Sequence, residues 1–271
     1  MSAQEFLRTG RGSPLVLLHG LTGSWRIWRP VIPLLSGHHD VFVPSLAGHH
    51  GGPVLPNGAS IAALTDALER TLDEAGIETA HVAGNSLGGW LALELARRGR
   101  ARSVVALSPA GAWASPRELR RISRMFLTAA RTTPRVLPRL GWLVRRPRGR
   151  RLLLRQVMER GDRIPAADAA ELFADYAACS IVEELIATFG RDGGFRGDLV
   201  RAEVPIRIAW AAHDRTIPFA GYGRPMADLL PGAEITTLAG VGHVPMYDDP
   251  ALVARTILDM TRPTDQEATA R

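Results

Sequence analysis

One short stretch constrains this chain more than any other: Val82-Ala83-Gly84-Asn85-Ser86-Leu87-Gly88-Gly89-Trp90. Residues 81–83 read as a short buried strand of a parallel sheet. After Ser86 the apolar residues Leu87, Trp90, Leu91 and Leu95 recur at helical spacing. Between strand and helix lies a Gly-x-Ser-x-Gly turn. A serine on so sharp a turn adopts an unfavourable backbone conformation, and its neighbours must lack side chains that would clash. The turn pushes the hydroxyl outward above a helix N-terminus, whose free amides and positive dipole end suit a developing oxyanion.

A chain of 271 residues has room for one large α/β domain with an insertion. Its hydrophobic share of 46% and charged share of 22% are those of an ordinary globular protein. No run of about 18 apolar residues suggests a membrane span, and residues 1–12 lack a signal-peptide core. The single Cys179 excludes an internal disulfide and a cysteine metal cluster, which fits a cytoplasmic setting. The paired histidines His38-His39 and His49-His50 lack a third ligand at suitable spacing, so no metal and no cofactor are expected.

In chain order, residues 4–8 suggest an edge strand and residues 14–18 a buried one. His19-Gly20-Leu21 follows at a strand's carboxyl end, where open α/β sheets place ligand-contacting loops. Gly20 permits close backbone approach, the Leu21 amide is free to face the site, and His19 braces the loop. A helix over residues 25–35, capped by Ser24 and interrupted by Pro30 and Pro33, precedes a strand at 40–44. Residues 60–75 form an amphipathic helix ended by Gly76. Further strands are expected at 103–107, 204–211 and 233–238, with helices at 222–230 and 249–260. The last ten residues are polar and are expected to fray.

From 112 to 195 the strand–helix alternation stops. Helical stripes separated by Pro and Gly predict an α-helical cap. One capping box starts at Ser115-Pro116-Arg117-Glu118, and a second spans 180–183. The first of these helices presents Leu119, Ile122, Met125 and Phe126, which are expected to line a substrate pocket. Residues 191–197 form a glycine-rich return. The core is then 1–111 with 196–271. Two further features complete the pattern. Asp214 lies just past a strand's carboxyl end, where a carboxylate can orient a histidine, and His243 follows Gly242 on a loop able to reach the serine. Asp248 and Asp249 lie nearer His243, but a position just before a helix suits them to N-capping.

These motifs resemble the α/β-hydrolase superfamily in its capped, lipase- and esterase-like branch. The matching pieces are His19-Gly20-Leu21, Gly84-Asn85-Ser86-Leu87-Gly88-Gly89, the turn at Asp214-Arg215-Thr216-Ile217-Pro218, and Gly242-His243, in the order serine, acid, histidine. The resemblance covers residues 14–260. It implies a doubly wound, mostly parallel sheet of about seven strands with an inserted helical cap. In that family the loop after the Val41-Phe42-Val43 strand usually starts with aspartate, and here Ser45 stands near that place. The resemblance further implies a serine hydrolase cleaving a small carboxylic ester. Ser86 would be the nucleophile, His243 the base, Asp214 its orienting acid, and the Leu21 and Leu87 amides the oxyanion hole. Relatives that open epoxides or remove halides use aspartate at the nucleophile position. The alternatives are a carbon–carbon hydrolase of aromatic ring-cleavage products, an acyl thioesterase, and a receptor that binds without turnover.

Charge is uneven. Every basic residue is arginine; residues 117–163 hold fifteen against Glu118, Glu159 and Asp162, while the whole chain is only +6. This segment predicts a solvated helix face, or attraction to an anionic substrate, a carrier protein or a membrane surface. Nucleic acid is not expected, since only Phe126 and Trp142 in the segment could stack on bases.

Overall fold

A computed structural model describes residues 5–196 and 204–269. Seven strands make one sheet: β1 (Phe6–Gly10), β2 (Ser13–Leu18), β3 (His39–Pro44), β4 (Ala80–Asn85), β5 (Ala101–Leu107), β6 (Ile206–Ala211) and β7 (Glu234–Leu238). Their spatial order is β1-β3-β2-β4-β5-β6-β7. β1 pairs antiparallel with β3, and every other pairing is parallel. Parallel strands need crossovers, and the helices that supply them cover both faces. Adjacent residues of one strand therefore enter different cores: Leu15 and Leu17 of β2 join one cluster, Val16 and Leu18 the other.

Helices α2 (Ile61–Glu74) and α3 (Leu87–Arg97) cover one face with α8 (Arg224–Leu229); α1 (Ile32–Leu35) and α9 (Pro250–Thr269) cover the other. In α2 the Ser60 hydroxyl accepts from the Ala63 amide at 3.1 Å, and Leu64, Leu68 and Leu72 face inward. Each such buried leucine contributes about 1.5–3 kcal/mol.

Among the described residues, four helices intervene between β5 and β6: α4 (Pro116–Val144), α5 (Pro147–Leu154), α6 (Ala166–Ala178) and α7 (Val182–Asp192). Ser115 caps α4, with Pro116 in the first turn and the Ser115 hydroxyl bonded to the Glu118 carboxylate. Ion pairs fasten α6 to the loop after β2. Asp175, fully buried, accepts from Ser24 Oγ at 2.5 Å and Arg26 Nη1 at 2.7 Å. Arg29 Nη1 reaches Glu171 at 2.5 Å.

Several local expectations are corrected. Residues 25–35 are a short 3-10 turn, Trp25–Trp28, and then α1; the prolines break a single helix. Ser180 does not cap α7, because its hydroxyl donates instead to the Gly48 carbonyl at 3.2 Å. Before α8 the chain forms a π-helical turn, Phe219–Gly223. Helix α9 continues through Pro263 to Thr269, so residues 262–269 do not fray, and residues 270–271 lie outside the described residues. There Asp265 accepts from Ser13 Oγ at 2.7 Å and lies 2.9 Å from His81 Nε2. Gln4 and Gly197, which begin and end two expected segments, lie outside the described residues.

Candidate active site

β4 delivers Ser86 to the start of α3 with φ 56° and ψ −115°, a conformation that costs a non-glycine residue about 1–3 kcal/mol. The surroundings enforce it. The Ser86 amide donates to Leu107 O at 3.0 Å, and its carbonyl accepts from Trp90 and Ala110. The flanking glycines are sterically required: a Cβ on Gly84 would stand 2.1 Å from Gly88 O, and one on Gly88 2.4 Å from Leu18 O. Strand, turn and helix are thus pressed together with no room for a methyl group.

His243 and Asp214 arrive from the loops after β7 and β6. His243 Nδ1 lies 2.7 Å from Asp214 Oδ2, and both side chains are buried. The other carboxylate oxygen, Oδ1, accepts from the amides of Thr216 (2.9 Å) and Ile217 (2.8 Å). An ionised carboxylate only accepts, so His243 Nδ1 carries the proton and Nε2 presents its lone pair. Ser86 and His243 open on the same cavity of about 270 Å³.

Leu87 follows the serine in the chain, and Leu21, Ser86 and Leu87 line one space. Neither the Leu21 nor the Leu87 amide has an acceptor among the described residues. The Leu87 N–H is in the first turn of α3, where the helix dipole favours negative charge. His19 braces the Leu21 loop: Nδ1–H donates to Gly20 O at 2.8 Å, and Nε2 accepts from the Leu46 amide at 2.9 Å. Burial pushes its pKa well below the ordinary histidine value, so it stays neutral and keeps both bonds. Ser45 Oγ accepts from the Trp25 amide at 3.5 Å.

The large cavity is walled by apolar side chains of the inserted helices, including Met125, Phe126, Leu153, Leu172 and Phe173. A second space of about 40 Å³ includes Leu119, Ile122 and Phe126 in its wall. Leu21, Ser86, Phe126 and Thr216 border both, so the two chambers meet at the serine. All four residues expected at a pocket from α4 therefore border one chamber or the other. Among the described residues, no group of His, Cys, Asp or Glu side chains could hold a metal ion.

Three features went unread in the sequence. Asn85 Nδ2 donates to His243 O at 2.8 Å and to Leu107 O at 3.1 Å, tying the histidine loop to the serine strand. Asp248 is buried but is not a helix cap. It accepts from the amides of Gly242 (2.8 Å), Glu159 (2.9 Å) and Arg160 (2.7 Å). Asp249 is the cap, accepting from Leu252 N at 2.8 Å. The segment 156–160 also holds both loops directly: Val244 N donates to Val157 O at 2.8 Å, and Gln156 Nε2 donates to Arg215 O at 2.6 Å. Only the position of Asn85 beside the serine offered any signal.

The sequence profile of the Alpha/beta hydrolase family matches residues 15–256. The chain belongs to this family. The α/β hydrolase is 37% identical over 202 residues to epoxide hydrolase EphH of Mycobacterium tuberculosis, covering 73% of this chain and 93% of that protein. Among solved structures it is similar to the enol-lactonase from Burkholderia xenovorans LB400, with TM-score 0.72, 20% identity, and 95% of each chain covered. It is also similar to 2-hydroxy-6-oxo-6-phenylhexa-2,4-dienoate hydrolase from Rhodococcus sp. strain RHA1, with TM-score 0.73 and 21% identity, covering 96% of this chain and 98% of that one. At these identities the two structures speak for the fold of this hydrolase alone.

Proposed function

We propose that this hydrolase cleaves carboxylic esters through an acyl-enzyme on Ser86. The observation that carries the reading is the 2.7 Å contact of His243 Nδ1 with Asp214, which leaves Nε2 as a base in the cavity that Ser86 enters. Ser86 Oγ attacks the carbonyl carbon as its proton passes to His243 Nε2. The negative oxygen is held by the Leu21 and Leu87 amides. His243 then gives the proton to the departing alcohol, and a water activated by the same base releases the acid.

The serine also weighs against epoxide opening, the reaction named for the mycobacterial relative. Ring opening by a serine oxygen would leave an ether, which a base-activated water does not cleave. Acylation leaves an ester, which it does. The chambers add a size rule. The larger, about 270 Å³, holds a bulky limb; the smaller, about 40 Å³, admits only a short one. The favoured ester is therefore short on one side.

Fluorophosphonate labelling and aryl-ester turnover test the assignment. The wild type should label at Ser86, and Ser86→Ala should lose both label and turnover, the latter by about a million-fold. An alanine variant that kept a tenth of the rate would refute it. Higher kcat/KM on an acyl thioester or a ring-cleavage diketone would move the reaction to those bonds with the same three residues.

A further inference from the structure

We propose that the arginine face of α4, with Trp142 at its far end and the exposed Leu152 of α5, docks on the surface of an anionic phospholipid bilayer. At 100° per residue, Arg117, Arg120, Arg124, Arg131, Arg135 and Arg139 fall with Trp142 within a sector of roughly 100°. All of them are exposed. The stripe runs ~38 Å from Arg117 to Trp142 at the helical rise. The opposite face of the same helix supplies Met125, Phe126 and Ala129 to the catalytic cavity.

The charge of this face is not mere arginine-rich composition. Residues 119–158 contain twelve arginines and no Asp or Glu. Several arginines elsewhere sit against carboxylates: Arg8 with Asp40, Arg98 with Asp66 and Glu69, Arg100 with Asp73, Arg207 with Glu234. Along the stripe only Arg131 meets a carboxylate among the described residues, that of Glu183 at 2.9 Å. Arg135 and Arg139 reach no further than backbone carbonyls of their own helix.

A long row of cations along one helix matches an extended charged plane better than a small anion, which needs convergent donors. Apolar side chains narrow the choice. Trp142 is 56% exposed and Leu152 55% exposed, and the Arg146 guanidinium lies 5.5 Å from the Trp142 ring centroid. Tryptophan and leucine beside arginine suit the headgroup boundary of a bilayer, where rings and stems bury while charges meet phosphate. A nucleic acid would need more aromatic platforms than Trp142 alone.

Docking there brings lipid to the site. Met125 and Ala129 line both the cavity and a surface groove edged by Arg117, Arg120 and Arg124. Leu153, next to Leu152, lines the cavity from the other side. An apolar ester dissolved in the bilayer would meet the mouth directly. The docking itself does not depend on the ester reading.

The experiment is co-sedimentation with phosphatidylcholine vesicles prepared with and without phosphatidylglycerol. The wild type should pellet with the anionic vesicles only, and less so as salt rises to physiological strength. Replacing Arg124, Arg135, Arg139 and Arg146 by glutamine should weaken binding by roughly fivefold per residue, several-hundred-fold together. Brominated lipid should quench wild-type fluorescence, and Trp142→Phe should abolish the quenching. If the quadruple variant does not fold, quenching and salt dependence decide. Absent or equal binding to both vesicle types, or a folded quadruple variant that binds as wild type, overturns the proposal. So does binding to an acidic protein or nucleic acid alone. A protein that binds anionic vesicles but hydrolyses no ester refutes the reaction and leaves the docking intact.

Discussion

Asp248→Asn separates two carboxylates that lie close to the same histidine. In the native protein Asp248 Oδ2 accepts from Gly242 and Glu159, and Oδ1 from Arg160. Asparagine keeps one acceptor oxygen. With that oxygen toward Gly242 and Glu159, its NH2 faces the Arg160 N–H and one charge-assisted bond is lost, about 1.5–3 kcal/mol. The two surviving bonds become neutral and weaken by about half, roughly another 1.5–3 kcal/mol for the pair. The sum is about 3–6 kcal/mol. A 271-residue chain unfolds with about 0.6 kcal/mol/K of entropy, so Tm should fall by about 5–10 °C. Activity should drop only modestly, on the order of tenfold, because Asp214 still orients His243 while the loop loosens. Scanning calorimetry and ester kinetics on the same preparation read both quantities. An unchanged Tm, or a loss of several thousand-fold in kcat, would refute the argument and make Asp248 the orienting acid.

Asp214→Asn should do the opposite: a small change in Tm and a fall in kcat of roughly ten-thousand-fold, from the wrong imidazole tautomer. Near-normal rates would exclude Asp214. Ile122→Ala should enlarge the 40 Å³ chamber and raise kcat/KM for esters longer on their short side relative to the shortest, read from matched acyl and alcohol series; an unchanged ranking would detach that chamber from the substrate. Thermal stability should fall as pH drops from 8 to 5. Burial lowers the pKa of His19, His39, His49 and His81, the His49 value to about 4, with Asp265 opposing the effect at His81. Below the ordinary value of about 6.5 the unfolded chain binds more protons than the folded one, so stability is full above that pH and is lost as it falls toward about 4. A Tm that rose between pH 6.5 and 5 would contradict this.

The strands and the turn at Ser86 were legible because they are local. A parallel strand advertises itself as a short apolar run, and Gly84 and Gly88 are required by contacts within the turn and with its neighbouring strand. Asp214 and His243 were legible through their place after strands. Contacts between distant segments were not. Ser180 has the local pattern of a cap, yet Gly48 takes its hydroxyl. The polar end of α9 gave no apolar periodicity because it faces a polar ring at the amino ends of the strands, where His39 Nε2 lies 2.8 Å from Thr261 Oγ1. Asp248 carried the position of a helix cap and serves two loops instead. No spacing rule encodes a carboxylate shared between residues 159–160 and 242.

The hold of residues 156–160 on both loops limits how this architecture can be rebuilt. The helices between β5 and β6 look like a cassette with two cut points. Yet Val157 O holds the residue after His243, Gln156 holds the carbonyl of the residue after Asp214, and Glu159 and Arg160 share Asp248 with Gly242. A chimera that exchanged the helices alone would inherit His243 without its scaffold. Exchange of the 270 Å³ chamber therefore requires the 214–218 and 242–248 loops to travel with the helices, and a change in chamber shape and a change in the geometry around His243 are inherited together.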